Sequence, residues 1–474
     1  MVRFRSKTMK TLPPDLSRRA FVRQACCAAV GSTGLLSSLG QLRVIAAVAG
    51  DSLSRPKAAA VPPDYKALVC LFFQGGIDAT NMIVPSDPSG YATYAAARSQ
   101  LAAAPSSLLP ISPRRYSDGR RYAFHSTLPA LQSLFADGKL AIMANVGTLV
   151  RPTTLADYRA GRNLPPQLQS HLDQAIQWQS SVADKPFETG WGGRLADLID
   201  AFNGNHQVSM SISITGKNYF QRGNSTQPYI LGANGAIPLL YGGGSSGVVA
   251  ARTAGIRSIM ANAPDNALAA AFGAITKESL EQSEVVSAAL RAAPTLRTVF
   301  PGTTVAQNLA MVAKTISVSQ ELGVRRQVFF VEMGGFDTHF SQEAGLTPLF
   351  VQINGAMKAF YDATVELGVA NQVTTFTASD FGRSYVPNAS GTDHGWGNHQ
   401  FIMGGAVQGG DIYGRMPSLT VGADDDTGRG RWIPSTSVDE YSATLATWFG
   451  VAQGNLPVVL PNIGRFARPN LGFL

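Results

Sequence analysis

The chain has 474 residues, 45% of them hydrophobic, with 39 Lys and Arg against 31 Asp and Glu and three cysteines. Eight of the basic residues but only one acid, Asp15, fall in the first 49 residues, so the rest carries 31 basic and 30 acidic side chains. That balance gives no electrostatic case for a nucleic-acid or acidic-membrane partner. The one thiol beyond residue 49, Cys70, excludes an intramolecular disulfide and a cysteine-based zinc site.

Ser17-Arg18-Arg19-Ala20-Phe21-Val22-Arg23 places paired arginines ahead of a weakly apolar, uncharged stretch, Ala25 to Leu42. Ala47-Val48-Ala49 follows with small residues suited to signal peptidase. This layout predicts a twin-arginine signal over residues 1–49, a periplasmic or extracellular location, and the twin-arginine export machinery as a partner. The apolar stretch falls short of the ~20 residues of a membrane span, so no stable span is expected after cleavage. Residues 50–64, rich in Ala, Pro and Ser, predict a linker, and 65–474 a single α/β domain.

Lys66 to Gln74 is a continuous apolar run ending in Gly75-Gly76, as expected of a strand buried on both faces. Lys139 to Val146, Val208 to Ile214, Gln327 to Met333 and Val373 to Ala378 predict further strands. Helical periodicity marks Ser170 to Ser181, Trp191 to Phe202, Asp265 to Ala292, Val305 to Leu322, Leu346 to Leu367 and Val438 to Phe449. Gly216 to Ser245 reads as a surface loop. Alternation of strand and helix predicts a mostly parallel central sheet with helices on both faces. Cys70 lies inside the first run and is expected to be an inert core residue.

Three predicted strands are followed by acidic loops carrying Asp78, Asp337 with His339, and Asp380. Ligands of open α/β sheets bind beyond the carboxyl ends of the strands, which delivers these side chains to one edge. For any one Asp a helix cap is the plainer reading; three at matching places, followed by Thr392-Asp393-His394-Gly395-Trp396-Gly397-Asn398-His399, point to a metal. Asp78, Asp337, His339, Asp380 and His394 are the candidate ligands, since imidazole and carboxylate suit zinc and similar ions. Asp337, His339 and His394 would form the better, zinc-like site. Asp78 with Asp380 would form a weaker one for magnesium, calcium or manganese.

The sequence resembles the bacterial secreted family called domain of unknown function 1501 (DUF1501). The resemblance runs through LVCLFFQGGIDATNMIVP from Leu68, SHLDQA from Ser170, ETGWGGRL from Glu188, VEMGGFDTH from Val331, SDFGR from Ser379, and TDHGWGNH from Thr392. It implies an alkaline phosphatase-like fold, with sulfatases and phosphoglycerate mutases as fold relatives. It also implies a metal-dependent hydrolase of phosphate or sulfate esters, with Ser170 as nucleophile at a helix start. Thr80 and Thr338 are the alternative hydroxyls, and Arg383 is the expected clamp for a tetrahedral oxyanion. Phe381 stands where active superfamily members carry a histidine, which favours a competing expectation: a non-catalytic secreted binding or assembly protein, using exposed aromatics such as Trp396 and Trp432. No H-E-x-x-H pattern supports a zinc peptidase.

Overall fold

The computed structural model describes residues 65–204, 206, 208–237, 247–261 and 266–474. The predicted leader and linker lie outside the described residues. In chain order the strands are β1 (Lys66–Phe73), β2 (Ile83–Pro85), β3 (Leu109–Ile111), β4 (Tyr122–Phe124), β5 (Leu140–Gly147), β6 (Ser211–Ser213) and β7 (Tyr229–Gly232). They continue with β8 (Gly235–Ala236), β9 (Arg326–Met333), β10 (Val373–Ser379), β11 (Asn398–Gly404), β12 (Ile412–Gly414) and β13 (Thr436–Ser437).

The main sheet runs β12-β5-β11-β10-β1-β9-β6-β7-β8, with β13 beside β5. β1 lies between β9 and β10 and is parallel to both. β6 is parallel to β9 and to β7. β11 is antiparallel to both β10 and β5, and β8 to β7. The fold is therefore α/β with a mostly parallel sheet.

The alternation of β1 explains its unbroken apolar sequence. Ala67, Val69, Leu71 and Phe73 join one core cluster, and Leu68, Cys70 and Phe72 join another. The first is closed by the helices Pro129–Ala136, Thr304–Ser317 and Gln342–Glu366, through residues such as Leu131, Leu309, Phe350 and Phe360. The second is closed by His171–Ser180, Trp191–Ile199 and Val438–Phe449, through Trp178, Leu195 and Tyr441. A strand covered on both faces needs apolar side chains at every position, not every second one. Cys70 is buried there, and burial pushes its thiol well up.

Several elements depart from the sequence expectation. β6 is shorter than the Val208 to Ile214 pattern, and the Gly216 to Ser245 segment contains β7 and β8. The Asp265 to Ala292 pattern corresponds to the helix Ala267–Ala292, and a second helix, Gly247–Ala261, precedes it. The helix Gln342–Glu366 begins a turn before its periodicity, with Pro348 inside it. A small antiparallel sheet, β2-β4-β3, was not foreseen.

Among the described residues, no helix is long and apolar enough to cross a membrane.

Candidate metal centre

Parallel pairing of β9, β1 and β10 brings the loops after them to one sheet edge. Gly76 gives the first loop its turn: its φ is +76°, and a Cβ there would lie 2.5 Å from the Phe381 ring. Only glycine holds that conformation at no steric cost.

The centre of the edge is Asp337. Its Oδ1 lies 3.0 Å from His339 Nε2, 3.3 Å from His394 Nε2 and 3.4 Å from His171 Nε2. His339 Nε2 and His394 Nε2 are 2.9 Å apart. The donor atoms of His171, Asp337 and His394 all lie within 4.8 Å of one another. Bonds of 2.0–2.1 Å at the tetrahedral angle put neighbouring zinc ligands about 3.3 Å apart, close to these separations.

The far side of two of the rings holds the outer nitrogen and turns Nε2 to the centre. His394 Nδ1 is 2.7 Å from the Gln169 carbonyl oxygen, which can only accept, so Nδ1 carries the proton and Nε2 the lone pair. His171 Nδ1 is 2.7 Å from Asp380 Oδ2, giving the same result. His339 Nδ1 faces Asp393 Oδ1 at 3.5 Å. Metal-binding histidines commonly hold the outer nitrogen on a carbonyl or carboxylate in this way. His171 Nε2 is buried, makes no hydrogen bond and lies against Asp337 Oδ1. The Asp380 hydrogen bond holds His171 above the usual histidine range, while burial pulls His394 below it.

Arg383 fixes the carboxylate. Its Nη1 donates to Asp337 Oδ1 at 2.7 Å and to the Gly75 carbonyl at 3.2 Å. Burial works against ionisation of Asp337, but the Arg383 hydrogen bond and charge win and hold it below the usual carboxylate range. The remaining Arg383 contacts are Nε to Thr392 Oγ1 at 3.2 Å and Nη2 to the Thr392 carbonyl. Its side chain is completely buried.

The structure brings Asp337, His339 and His394 together and adds His171, which sequence reasoning passed over as the first residue of a helix. Its signal was an imidazole at that helix start, directly after Ser170. Three of the candidate residues have other partners in the structure. Asp78 is tied to the fully buried Arg98, to Thr80 Oγ1 at 2.6 Å and to Gln342 Nε2 at 2.6 Å, so both its oxygens are engaged away from the histidines. Asp380 Oδ2 takes both His171 Nδ1 and the Gly75 amide, so it holds a cluster histidine in place, while its Oδ1 is buried without a hydrogen-bond partner. Arg383 is engaged by Asp337, the Thr392 hydroxyl and two backbone carbonyls, and its side chain is sealed from solvent. Trp396 and Trp432 are buried, not exposed. His399, on β11, is also apart from the cluster, its Nδ1 accepting from the Asn145 amide of β5.

Phe381 packs its ring 4.7 Å from both the His171 and His394 rings. It takes the space beside Asp380 and offers no lone pair. Ser170 caps the helix His171–Ser180; its hydroxyl donates to Asp173 Oδ2 at 2.6 Å and accepts from the Asp173 amide. Thr80 donates to Asp78, and Thr338 contacts the Phe336 carbonyl and Gln342.

The family profile described as "Protein of unknown function (DUF1501)" matches residues 65–436. The chain belongs to the DUF1501 family. No curated protein matches it significantly. Solved structures similar to this DUF1501 protein include the PsFucS1 sulfatase from Pseudoalteromonas sp., at 10% identity and TM-score 0.34, covering 88% of this chain and 73% of that one. The C-terminal periplasmic domain of EcEptC from Escherichia coli is similar at 11% identity and TM-score 0.35, covering 88% and 93%. An alkaline phosphatase PafA mutant is similar at 12% identity and TM-score 0.28, covering 68% and 64%.

Proposed function

We propose that this DUF1501 protein is an exported hydrolase of phosphate or sulfate esters that works with one divalent metal, zinc first among candidates. One observation carries the reading: three imidazoles turn Nε2 toward Asp337 Oδ1, two of them with Nδ1 pinned by Gln169 and Asp380. Such a ligand set, with its outer nitrogens held, suits zinc. When bound, the ion would polarise an ester oxygen and lower the pKa of a hydroxyl or water. A second ion of magnesium, calcium or manganese at Asp78 and Asp380 is the weaker part of the reading, because Asp78 is neutralised by Arg98 and Asp380 Oδ2 is bonded to His171.

In this reading Ser170 is the nucleophile. It directly precedes the ligand His171, and a serine hydroxyl needs a partner to take its proton. Asp173 Oδ2, 2.6 Å away, receives it. Ser170→Ala should abolish turnover of aryl phosphate and sulfate esters. As a lost cap alone, the change would cost roughly 1 kcal/mol of stability and leave turnover intact. The substrate is a small-molecule or polymer ester, and export follows the twin-arginine route.

Elemental analysis of protein purified from the periplasm without chelator tests the metal. The parent should hold about one zinc per chain, and His171→Ala and His394→Ala should lose it. A parent free of metal sinks the reading. The competing reading is a binding or assembly protein without catalysis. It is favoured by one fact: the hydroxyls of Ser170, Thr80 and Thr338 are all engaged in local hydrogen bonds. It becomes the better account if metal-loaded protein turns over neither ester class.

A further inference from the structure

Recognition of a sulfate or phosphate ester needs a cationic donor beside the metal, and Arg383 is not available for it. Its Nε, Nη1 and Nη2 all bond protein oxygens, and its side chain has no exposure. A second arginine is built differently. Arg431 donates from Nε to the backbone carbonyl of the cluster residue His394 at 2.8 Å. Its terminal nitrogens make no hydrogen bond among the described residues; the nearest acid is Asp393 Oδ2, 4.0 Å from Nη2. The side chain is 24% exposed.

Asp393 does not consume Arg431, because it is already compensated. Arg429 Nη1 lies 2.6 Å from Asp393 Oδ2, and Asn388 Nδ2 lies 2.7 Å from Oδ1. Arg429 in turn gives its Nη2 to the Pro387 carbonyl at 2.7 Å. Of the two arginines, then, Arg429 is committed and Arg431 presents an open edge. Its stem is aimed by the same residue whose imidazole faces the centre. A guanidinium edge matches two oxygens of a tetrahedral oxyanion, and few other side chains offer that fork.

We infer that Arg431, rather than Arg383, binds the anionic group of the substrate, a sulfate or phosphate monoester, next to the metal centre. The inference rests on the ester-hydrolase reading and adds its recognition element. Arg383 acts one step back, as the positioning residue for Asp337.

Calorimetric titration of the zinc-loaded full-length protein with inorganic phosphate and with inorganic sulfate tests it, with zinc content and melting temperature measured on the same samples. Arg431→Gln should weaken binding at least tenfold, about 1.4 kcal/mol, at unchanged zinc content and melting temperature. Arg431→Lys keeps the charge but loses the fork, and should fall between the two. Arg429→Gln should weaken binding by less than Arg431→Gln. Parent-like binding by Arg431→Gln, or a larger loss in Arg429→Gln, overturns the assignment. A zinc-loaded parent that binds neither anion overturns it too. The zinc content judges the metal reading separately: a parent with zinc but no anion binding keeps the centre and loses this site. If Arg431→Gln fails to fold, Arg431→Lys decides, and binding equal to the parent's would count against the fork.

Discussion

Asp78 and Asp380 are both fully buried acids at the same sheet edge, and their partners give them opposite roles. Asp380 holds Nδ1 of His171, so Asp380→Asn should lower metal affinity about 10–100-fold, the usual effect of losing an outer partner. Competition with a zinc dye would show it, and the melting temperature of metal-free protein should hardly move. Asp78 neutralises Arg98, which is itself fully buried and whose other hydrogen bonds among the described residues go to the Ser384 and Tyr385 carbonyls. Asp78→Asn leaves that charge unpaired, so it should cost about 3–5 kcal/mol by denaturant unfolding. An Asp78→Asn protein as stable as the parent would refute the pairing. Sequence showed that both acids end strands. It could not show that Arg98, on a helix of the intervening segment, would take one of them. Nor could it show that His171 would come to face histidines far along the chain.

Secondary elements carry two further expectations. The helix Trp191–Ile199 lies on the backbone of residues 219–223, and a Cβ on Gly193 would come within 2.2 Å of the Arg222 carbonyl carbon. Gly193→Ala should therefore cost about 1–3 kcal/mol, the range for overpacking, although alanine is ordinarily the better helix former. At the start of the helix Val438–Phe449, Asp439 is buried. Burial lifts its carboxyl from the ordinary 3.8 to about 7, against opposing effects of Ser181, Arg194 and Arg465. The folded chain keeps a proton that the unfolded chain releases near pH 4. This contribution to stability is complete below that pH and is lost as pH rises to about 7. Unfolding midpoints across that window should fall for the parent and flatten for Asp439→Asn. Long apolar runs such as β1 and β9 were legible because burial on both faces leaves no other composition. β2, β3 and β4 were not, since three residues are too few to show a period.

For the whole molecule, metal at the proposed centre would stabilise only the folded chain, because its donors come from loops as far apart as His171 and His394. At a hundredfold excess over the dissociation constant, metal should add about 2.7 kcal/mol. Zinc should raise the melting temperature of chelator-stripped parent and leave His394→Ala unchanged. Export has its own test: Lys at positions 18 and 19 in place of Arg18 and Arg19 should hold an uncleaved precursor in the cytoplasm, visible by fractionation.

The order of the sheet also sets a timetable for synthesis. Among the described residues β1 pairs with β9 and β10, and β5 with β11, β12 and β13, so these main-sheet partners of the early strands are made late. At about 5–20 residues per second, β1 waits roughly 10–50 s on the ribosome before β9 exists. For that interval an eight-residue apolar strand is without its neighbours. Chains arrested before Arg326 should be cut by protease within β1, and chains arrested beyond Ser379 should resist. Cells making this protein then need something to shield β1 while translation continues, and rapid overproduction should send it to aggregates through that strand.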